Sequence, residues 1–210
     1  MSTRIKICGI TRPDDARIAA QLGADAIGLV FAESSPRRIG IAQAAEIAAS
    51  VPGGVRVVGL FLDAEEDFVR SVLAAVRVDV LQFHGRESAG YCARFGLPYF
   101  KTIGVADRQE AARAIAQYPD ACALLFDSHA HGAAGGTGKT ADWHALPAAN
   151  TNNVILAGGL KPGNVFDAVC LVRPHGVDVS SGVESRPGLK DRAKIKEFIS
   201  EVRRADAATT

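Results

Sequence analysis

The chain has 210 residues, of which 48% are hydrophobic and 22% charged, with a formal net charge of +1. That length allows one large domain or two small ones with a substantial core, and the charge balance argues against a nucleic-acid partner or an anionic membrane surface. No apolar run approaches the roughly 18–20 residues that span a bilayer, Met1 to Arg4 lead into a strand without a signal-peptide apolar region, and Cys8, Cys92, Cys122 and Cys170 show neither C-x-x-C nor zinc spacing. Reduced thiols in a cytoplasmic protein are the expectation.

Short β-rich runs alternate with Ala-rich helical segments. Ile5 to Cys8 is the first strand. Thr11, Arg12, Pro13 and Asp14 read as a helix start, with Thr11 as the capping type and Pro13 in the first turn. The helix Asp14 to Leu22 is stopped by Gly23. A strand over Ala26 to Phe31, a helix over Ile41 to Ser50 and a strand over Arg56 to Leu62 follow. Glu65 to Val76 places Phe68, Val69, Val72, Leu73 and Val76 at helical spacing. Val80 to Phe83 is a strand, and Ser88 to Phe95 a helix closed by Gly96 and Pro98. The strand Tyr99 to Ile103, the helix Arg108 to Gln117 and the strand Ala123 to Asp127 come next. A long Gly-rich loop, Ser128 to Thr140, and a weak helix, Ala141 to Ala145, lead to the strand Val154 to Ala157. Pro162 to Val172 is helical and Gly176 to Val179 a strand. Asp191 to Arg204 closes the fold, and Ala205 to Thr210 read as a frayed tail.

Most of these strands are continuous apolar runs, as parallel strands buried on both faces require. Eight β-α pairs at about 26 residues each match a compact (βα)8 TIM barrel, a closed eight-stranded parallel sheet forming one catalytic domain over residues 1–204. The competitor is a doubly wound open sheet, disfavoured because no strand is followed by G-x-G-x-x-G.

In such a barrel every strand end points to one mouth. Cys8, the loop Ser34 to Arg38, Gln82, His84, Asp127, Gly158-Gly159, Asp178 and Ser180-Ser181-Gly182 arrive there. Position alone leaves Cys8 either a small buried filler or a functional thiol. The Gly158, Gly159, Ser180, Ser181 and Gly182 turns follow strands seven and eight, where barrels often bind phosphate; the alternative is two ordinary tight turns. Arg37 and Arg38 read as a solvated pair or, after Pro36 and beyond strand two, as supplying one bidentate clamp on a carboxylate. His84 reads as a hydrogen-bonding group or a structural histidine. Gly135-Gly136-Thr137-Gly138-Lys139-Thr140 lacks the first P-loop glycine, since Ala133 stands there, and reads as a flap over a ligand or, alternatively, a floppy surface loop. His129, His131 and His144 lack a fourth ligand, so no metal is expected. Cys8 and Asp127, facing each other across the mouth, suit a proton-transfer isomerisation.

Lys6-Ile7-Cys8-Gly9-Ile10-Thr11, Gln82-Phe83-His84-Gly85, Gly135 to Thr140, Ala157-Gly158-Gly159-Leu160 and Val177 to Glu184, in this order along the whole chain, resemble the phosphoribosylanthranilate isomerase family. The stretch Ser128 to Ala134, with its two histidines, departs from that pattern. The resemblance implies an Amadori rearrangement of N-(5-phosphoribosyl)anthranilate, an aminoaldose, to 1-(2-carboxyphenylamino)-1-deoxyribulose 5-phosphate, an aminoketose, in tryptophan biosynthesis. It implies Asp127 as general acid and Cys8 as general base. Arg37, or failing it Arg38, is implied on the anthranilate carboxylate, Asp178 near the sugar hydroxyls, and Gly158, Gly159, Ser181 and Gly182 on phosphate; their places at the mouth add Gln82 and His84 as substrate contacts and Ser180 as a phosphate contact. No metal or organic cofactor is implied. The partner is a small phosphosugar, and the assembly a monomer or homodimer. Gly9 is expected to leave room for substrate beside the thiol. The rival readings are a barrel of the indole-glycerol-phosphate synthase type, which needs a lysine at a strand end where only Lys6 and Lys101 are near, and a silent phosphosugar-binding barrel, which needs neither Cys8 nor Asp127.

Overall fold

The computed structural model describes residues 2–104, 113, 115–127 and 153–209. Eight parallel strands close into a barrel in chain order: β1 (Arg4–Cys8), β2 (Ala26–Val30), β3 (Arg56–Phe61), β4 (Val80–Phe83), β5 (Tyr99–Gly104), β6 (Ala123–Asp127), β7 (Val154–Leu156) and β8 (Gly176–Val179). β8 pairs back onto β1, with Ile5 against Val177 and Lys6 against Asp178. The closed sheet is the (βα)8 architecture read from the apolar runs, and it has no free edge.

Side chains alternate along each strand. On β1, Ile5 and Ile7 face outward into a large core shared with the helices, together with Ile27, Phe61, Phe83, Phe126 and Val177. The helices α1 (Pro13–Leu22), α2 (Ile41–Ser50), α3 (Glu66–Ala75), α4 (Ala89–Ala93), α5 (Pro162–Val172) and α6 (Arg192–Ala208) supply the other half through Ala16, Ile47, Val72, Val165 and Phe198. The opposite residues fill the barrel. Ala123, Leu125, Ile155 and Ala157 form one small interior cluster, and Cys8, Val30, Ala32 and Leu60 another. Both faces are therefore buried, which is why the strands read as unbroken hydrophobic runs.

Some expectations need correction. Thr11 does not cap α1: Arg12 is the N-cap and makes no side-chain cap bond, while the Thr11 hydroxyl donates to the Gly188 carbonyl. The capping is instead seen at α4, where the Ser88 hydroxyl accepts from the Tyr91 amide, and that helix is shorter than its pattern suggests. The C-terminal residues are not a frayed tail through their first four positions. α6 continues to Ala208 because Ala205 is buried and the Asp206 carboxylate accepts from the Thr3 amide at 3.1 Å and from its hydroxyl at 2.5 Å. A 3₁₀ turn, Ser181–Val183, and a hairpin of β9 (Glu184–Arg186) and β10 (Leu189–Lys190) were not anticipated between β8 and α6. Of the helix expected over Arg108 to Gln117, positions 113 and 115–117 are described and helical. The loop Ser128 to Thr140 with its Gly135 to Thr140 motif, the segment Ala141 to Ala145 and the histidines His129, His131 and His144 lie outside the described residues. No described helix is long and apolar enough to cross a membrane.

Candidate active site

The carboxyl ends of the strands surround one cleft. Its walls are Cys8, Val30, Leu60, Gln82, His84, Asp127 and Asp178, with the loop Ser34 to Arg37 on one side and the turns Gly158 to Leu160 and Val179 to Ser181 on the other. Cys8, Arg37, Gln82, His84, Asp127, Gly158, Gly159, Asp178, Ser180 and Ser181 line this cleft, and Arg38 and Gly182 do not. β8 and β7 stand between β1 and β6 in the ring, so Cys8 and Asp127 approach the cleft from separated strands.

The floor carries charge. Lys6 lies two residues before Cys8 on β1, so both point into the barrel. The Lys6 Nζ donates to Asp178 Oδ1 at 2.9 Å, and both side chains are almost fully buried. Burial presses the Lys6 ammonium down, but Asp178 and Cys8 outweigh it and the net direction is up. Burial pushes the Cys8 thiol up; the neighbouring Lys6 draws it back, and Asp178 pushes with burial. Room for this trio comes from Gly28, paired with Cys8 in register, where an added Cβ would stand 2.7 Å from the Cys8 sulfur and 3.2 Å from Lys6 Cε.

Of the two arginines after β2, Arg37 is the one at the cleft. Arg38 points away and pairs with Glu33 at 3.2 Å, both exposed. Arg37 is held by Glu184 with two bonds, Nε to Oε1 at 2.8 Å and Nη2 to Oε2 at 2.7 Å. This pairing occupies the Nε/Nη2 edge of the guanidinium with a protein carboxylate and leaves the Nη1/Nη2 edge for a second one. Glu184 also accepts from Lys190 Nζ at 2.7 Å. Burial raises the Glu184 carboxyl, yet the Arg37 and Lys190 contacts outweigh it and hold it below the ordinary glutamate range. At Lys190 burial wins over Glu184, and the ammonium is shifted down. The stem of Arg37 crosses Gly9, where an added Cβ would meet Arg37 Cδ at 2.4 Å; with a φ of 73°, Gly9 makes space for Arg37 and not, as expected, for substrate.

Gln82 donates from Nε2 to Thr102 Oγ1 at 3.2 Å inside the barrel. Its Oε1 and His84 Nδ1 are buried with no partner among the described residues. Burial pushes the His84 imidazole down, against the pull of Asp127 and Asp178 and with help from Lys101 and Lys6, which keeps the ring neutral. Lys101 faces outward from β5 and does not line the cleft. Its Nζ donates to the carbonyls of Phe83, Gly85 and Thr102 at 3.2, 2.7 and 3.1 Å, with Glu87 at 3.4 Å. It anchors the end of β4, so the lysine demanded by a synthase-type reading is not supplied from β5.

After β7, Gly158 and Gly159 both take positive φ, 79° and 68°, which turns the backbone sharply into the cleft wall. Asn164 fastens this turn, donating from Nδ2 to the Gly159 carbonyl at 3.0 Å and accepting from the Lys161 amide at 2.8 Å. Ser180 and Ser181 line the cleft beside it. Gly182 faces the other way: an added Cβ would lie 1.9 Å from the Leu160 carbonyl oxygen. It brings the two turns into backbone contact.

Three residues escaped the sequence reading. For Lys6 the available signal is its spacing of two from Cys8, which puts both side chains on one face of the strand. Glu184 and Lys190 sit in the unanticipated hairpin, so nothing local pointed them at Arg37.

A closed βα barrel that gathers its ionisable groups and two glycine–serine turns at one mouth defines the class, an enzyme of the TIM-barrel type. The family profile described as N-(5'phosphoribosyl)anthranilate (PRA) isomerase matches residues 5–201. The N-(5'-phosphoribosyl)anthranilate isomerase of Xanthomonas oryzae pv. oryzae is 49% identical over 210 residues, covering 97% of this chain and 95% of that one. The crystal structure of phosphoribosyl anthranilate isomerase from Thermotoga maritima is 36% identical and superposes with a TM-score of 0.85 over 96% of this chain and 98% of that one. A crystal structure of a phosphoribosyl anthranilate isomerase in complex with reduced 1-(o-carboxyphenylamino)-1-deoxyribulose 5-phosphate is 34% identical, with a TM-score of 0.81 over 96% of this chain and 98% of that one. The chain belongs to the phosphoribosylanthranilate isomerase family, isomerases of tryptophan biosynthesis.

Proposed function

We propose that this barrel carries out the Amadori rearrangement of N-(5'-phosphoribosyl)anthranilate with Asp127 as general acid and Cys8 as general base. Asp127 gives its proton to the ribose ring oxygen, the C1'–O bond breaks, and the nitrogen lone pair forms a Schiff base. The Cys8 thiolate then takes the proton from C2', giving an enolamine. That species loses its hydroxyl proton and gains one at C1' to become the aminoketose. The overall reaction moves protons and needs no external oxidant.

The observation that carries this reading is that one cleft holds a buried thiol and a carboxylate from separated strands beside a glycine–serine wall. The related structure that holds the reduced aminoketose phosphate supports the same product. Gly158, Gly159, Ser180 and Ser181 would take the phosphate, with Gly182 setting their spacing. Asp178, Gln82 and His84 would meet the sugar, and Arg37 the anthranilate carboxylate through its Nη1/Nη2 edge.

The reading is tested by following anthranilate fluorescence as purified protein consumes the substrate. Wild type should turn over without added metal. Cys8→Ser and Asp127→Asn should each lose about 10²-fold or more in kcat. Full activity in either variant would remove that residue from the mechanism, and an inactive wild type would overturn the function.

A further inference from the structure

We propose that Lys6 is a positioning residue for Cys8: it supplies the positive charge against which the Cys8 thiolate forms, and Asp178 tethers its ammonium in place. The proposal deepens the reading of Cys8 as the base and rests on it. Three observations support it. The register places Lys6 against Asp178 on the neighbouring strand, and their side chains meet at 2.9 Å. Lys6 is 4% exposed, so its charge acts in a region from which water is largely excluded. Gly28 clears the volume in which the lysine stem and the sulfur lie side by side.

Among the described residues, the charged groups that face Cys8 come from four elements: Lys6 on β1, Asp178 on β8, Lys190 on β10 and Arg37 after β2. β2 and β3 offer only Gly28, Val30 and Leu60. Lys190 and Arg37 are both committed to Glu184. Lys6 is the cation on the sulfur's own strand and face, with its stem beside the sulfur over Gly28 and Asp178 fixing its ammonium. If Lys6 only neutralised the buried Asp178, the double variant Lys6→Met/Asp178→Asn would titrate at Cys8 like wild type, whereas loss of a cation that acts on the thiol leaves the double variant shifted up, and this separates the two explanations.

The test is the pH dependence of Cys8 alkylation by iodoacetamide, followed by peptide mass so that Cys92, Cys122 and Cys170 do not interfere. In Lys6→Met the titration should move up by a unit or more, so that alkylation at pH 7 slows about tenfold. Lys6→Arg should stay near wild type. Asp178→Asn should move the curve down, because it removes the anion that pushes the thiol up. Steady-state assays should show kcat of Lys6→Met falling with the thiolate fraction, its rising pH limb displaced with the alkylation curve, and KM little changed. Coincident curves for wild type and Lys6→Met, or a shift of Lys6→Met and Asp178→Asn in the same direction, would overturn the proposal. Where Lys6→Met does not fold, Asp178→Asn decides, since an unmoved or raised titration there also overturns it. Alkylation reads the thiol without turnover. A fully active Cys8→Ser would remove Cys8 as base, while the alkylation curves still judge its coupling to Lys6.

Discussion

Gly182→Ala probes the contact between the two turns that line one wall of the cleft. The added Cβ would stand 1.9 Å from the Leu160 carbonyl oxygen, 2.9 Å from its carbon and 3.0 Å from Lys161 Cα. Ordinary C···O contacts begin at about 3.3 Å, so one turn must retreat by more than about 1 Å. Backbone blocks the way, so no rotamer change can absorb the clash, and overpacking of this kind costs about 1–3 kcal/mol. The same displacement pulls Gly158 and Gly159 away from Ser180 and Ser181. If these four hold the phosphate, a misplacement near 1 Å should lower kcat/KM by about 10- to 100-fold, mostly through KM. Inorganic phosphate should weaken as a competitive inhibitor by a similar factor. Gly163→Ala is the matched control: it lies in the first turn of α5 with nothing within 4 Å of its added Cβ. A Gly182→Ala protein with lowered thermal stability but unchanged KM and phosphate inhibition would refute the assignment of this wall to phosphate.

Glu184→Gln leaves Arg37 and Lys190 without their shared anion and should cost about 3 kcal/mol in urea unfolding, with a fall in kcat/KM as Arg37 loses its fixed direction. The same pair predicts an acid limit. Because the folded Glu184 carboxyl is held below its ordinary value of 4.5, its contribution is complete above that pH and is lost as pH falls through the lower folded value. Thermal melts between pH 6 and pH 3 should therefore fall more steeply for wild type than for Glu184→Gln. Lys101→Met takes the ammonium from three carbonyls and leaves Glu87, among the described residues, with only the Asp63 and Gly85 amides, and should destabilise the fold by about 3–5 kcal/mol, measured by chemical denaturation. Since Lys101 does not line the cleft, the folded fraction of that variant should keep its thiol titration.

The barrel was legible because burial on both faces writes itself into the strands. Val80–Phe83, Ala123–Asp127 and Gly176–Val179 were read with their observed ends, and the other strands within a residue. The hairpin was not legible for the opposite reason. Glu184, Ser185, Arg186 and Lys190 carry neither alternation nor β-branched residues, and the strands are three and two residues long. Pro187-Gly188 was the one turn signal present, with Gly188 at a φ of 78°. Yet that hairpin decides what Arg37 can do. Its partner lies 147 positions away in sequence, and a pairing at that distance leaves no local mark.

The same limit explains Lys6, and shows where a closer reading would have succeeded. A lysine inside an apolar strand is costly unless a partner neutralises it. Period-two alternation already puts Lys6 on the face of Cys8, and closure of an eight-stranded barrel already makes the last strand the neighbour of the first. Those two facts point to an acid on β8, and Asp178 is the only one that β8 contains. Cys8 and Asp178 were each read as single residues arriving at a mouth, one as base and one as sugar contact. Placed in the barrel interior with Lys6 between them, they form one electrostatic unit, in which a change at any member must be felt as a change in the ionisation of the thiol.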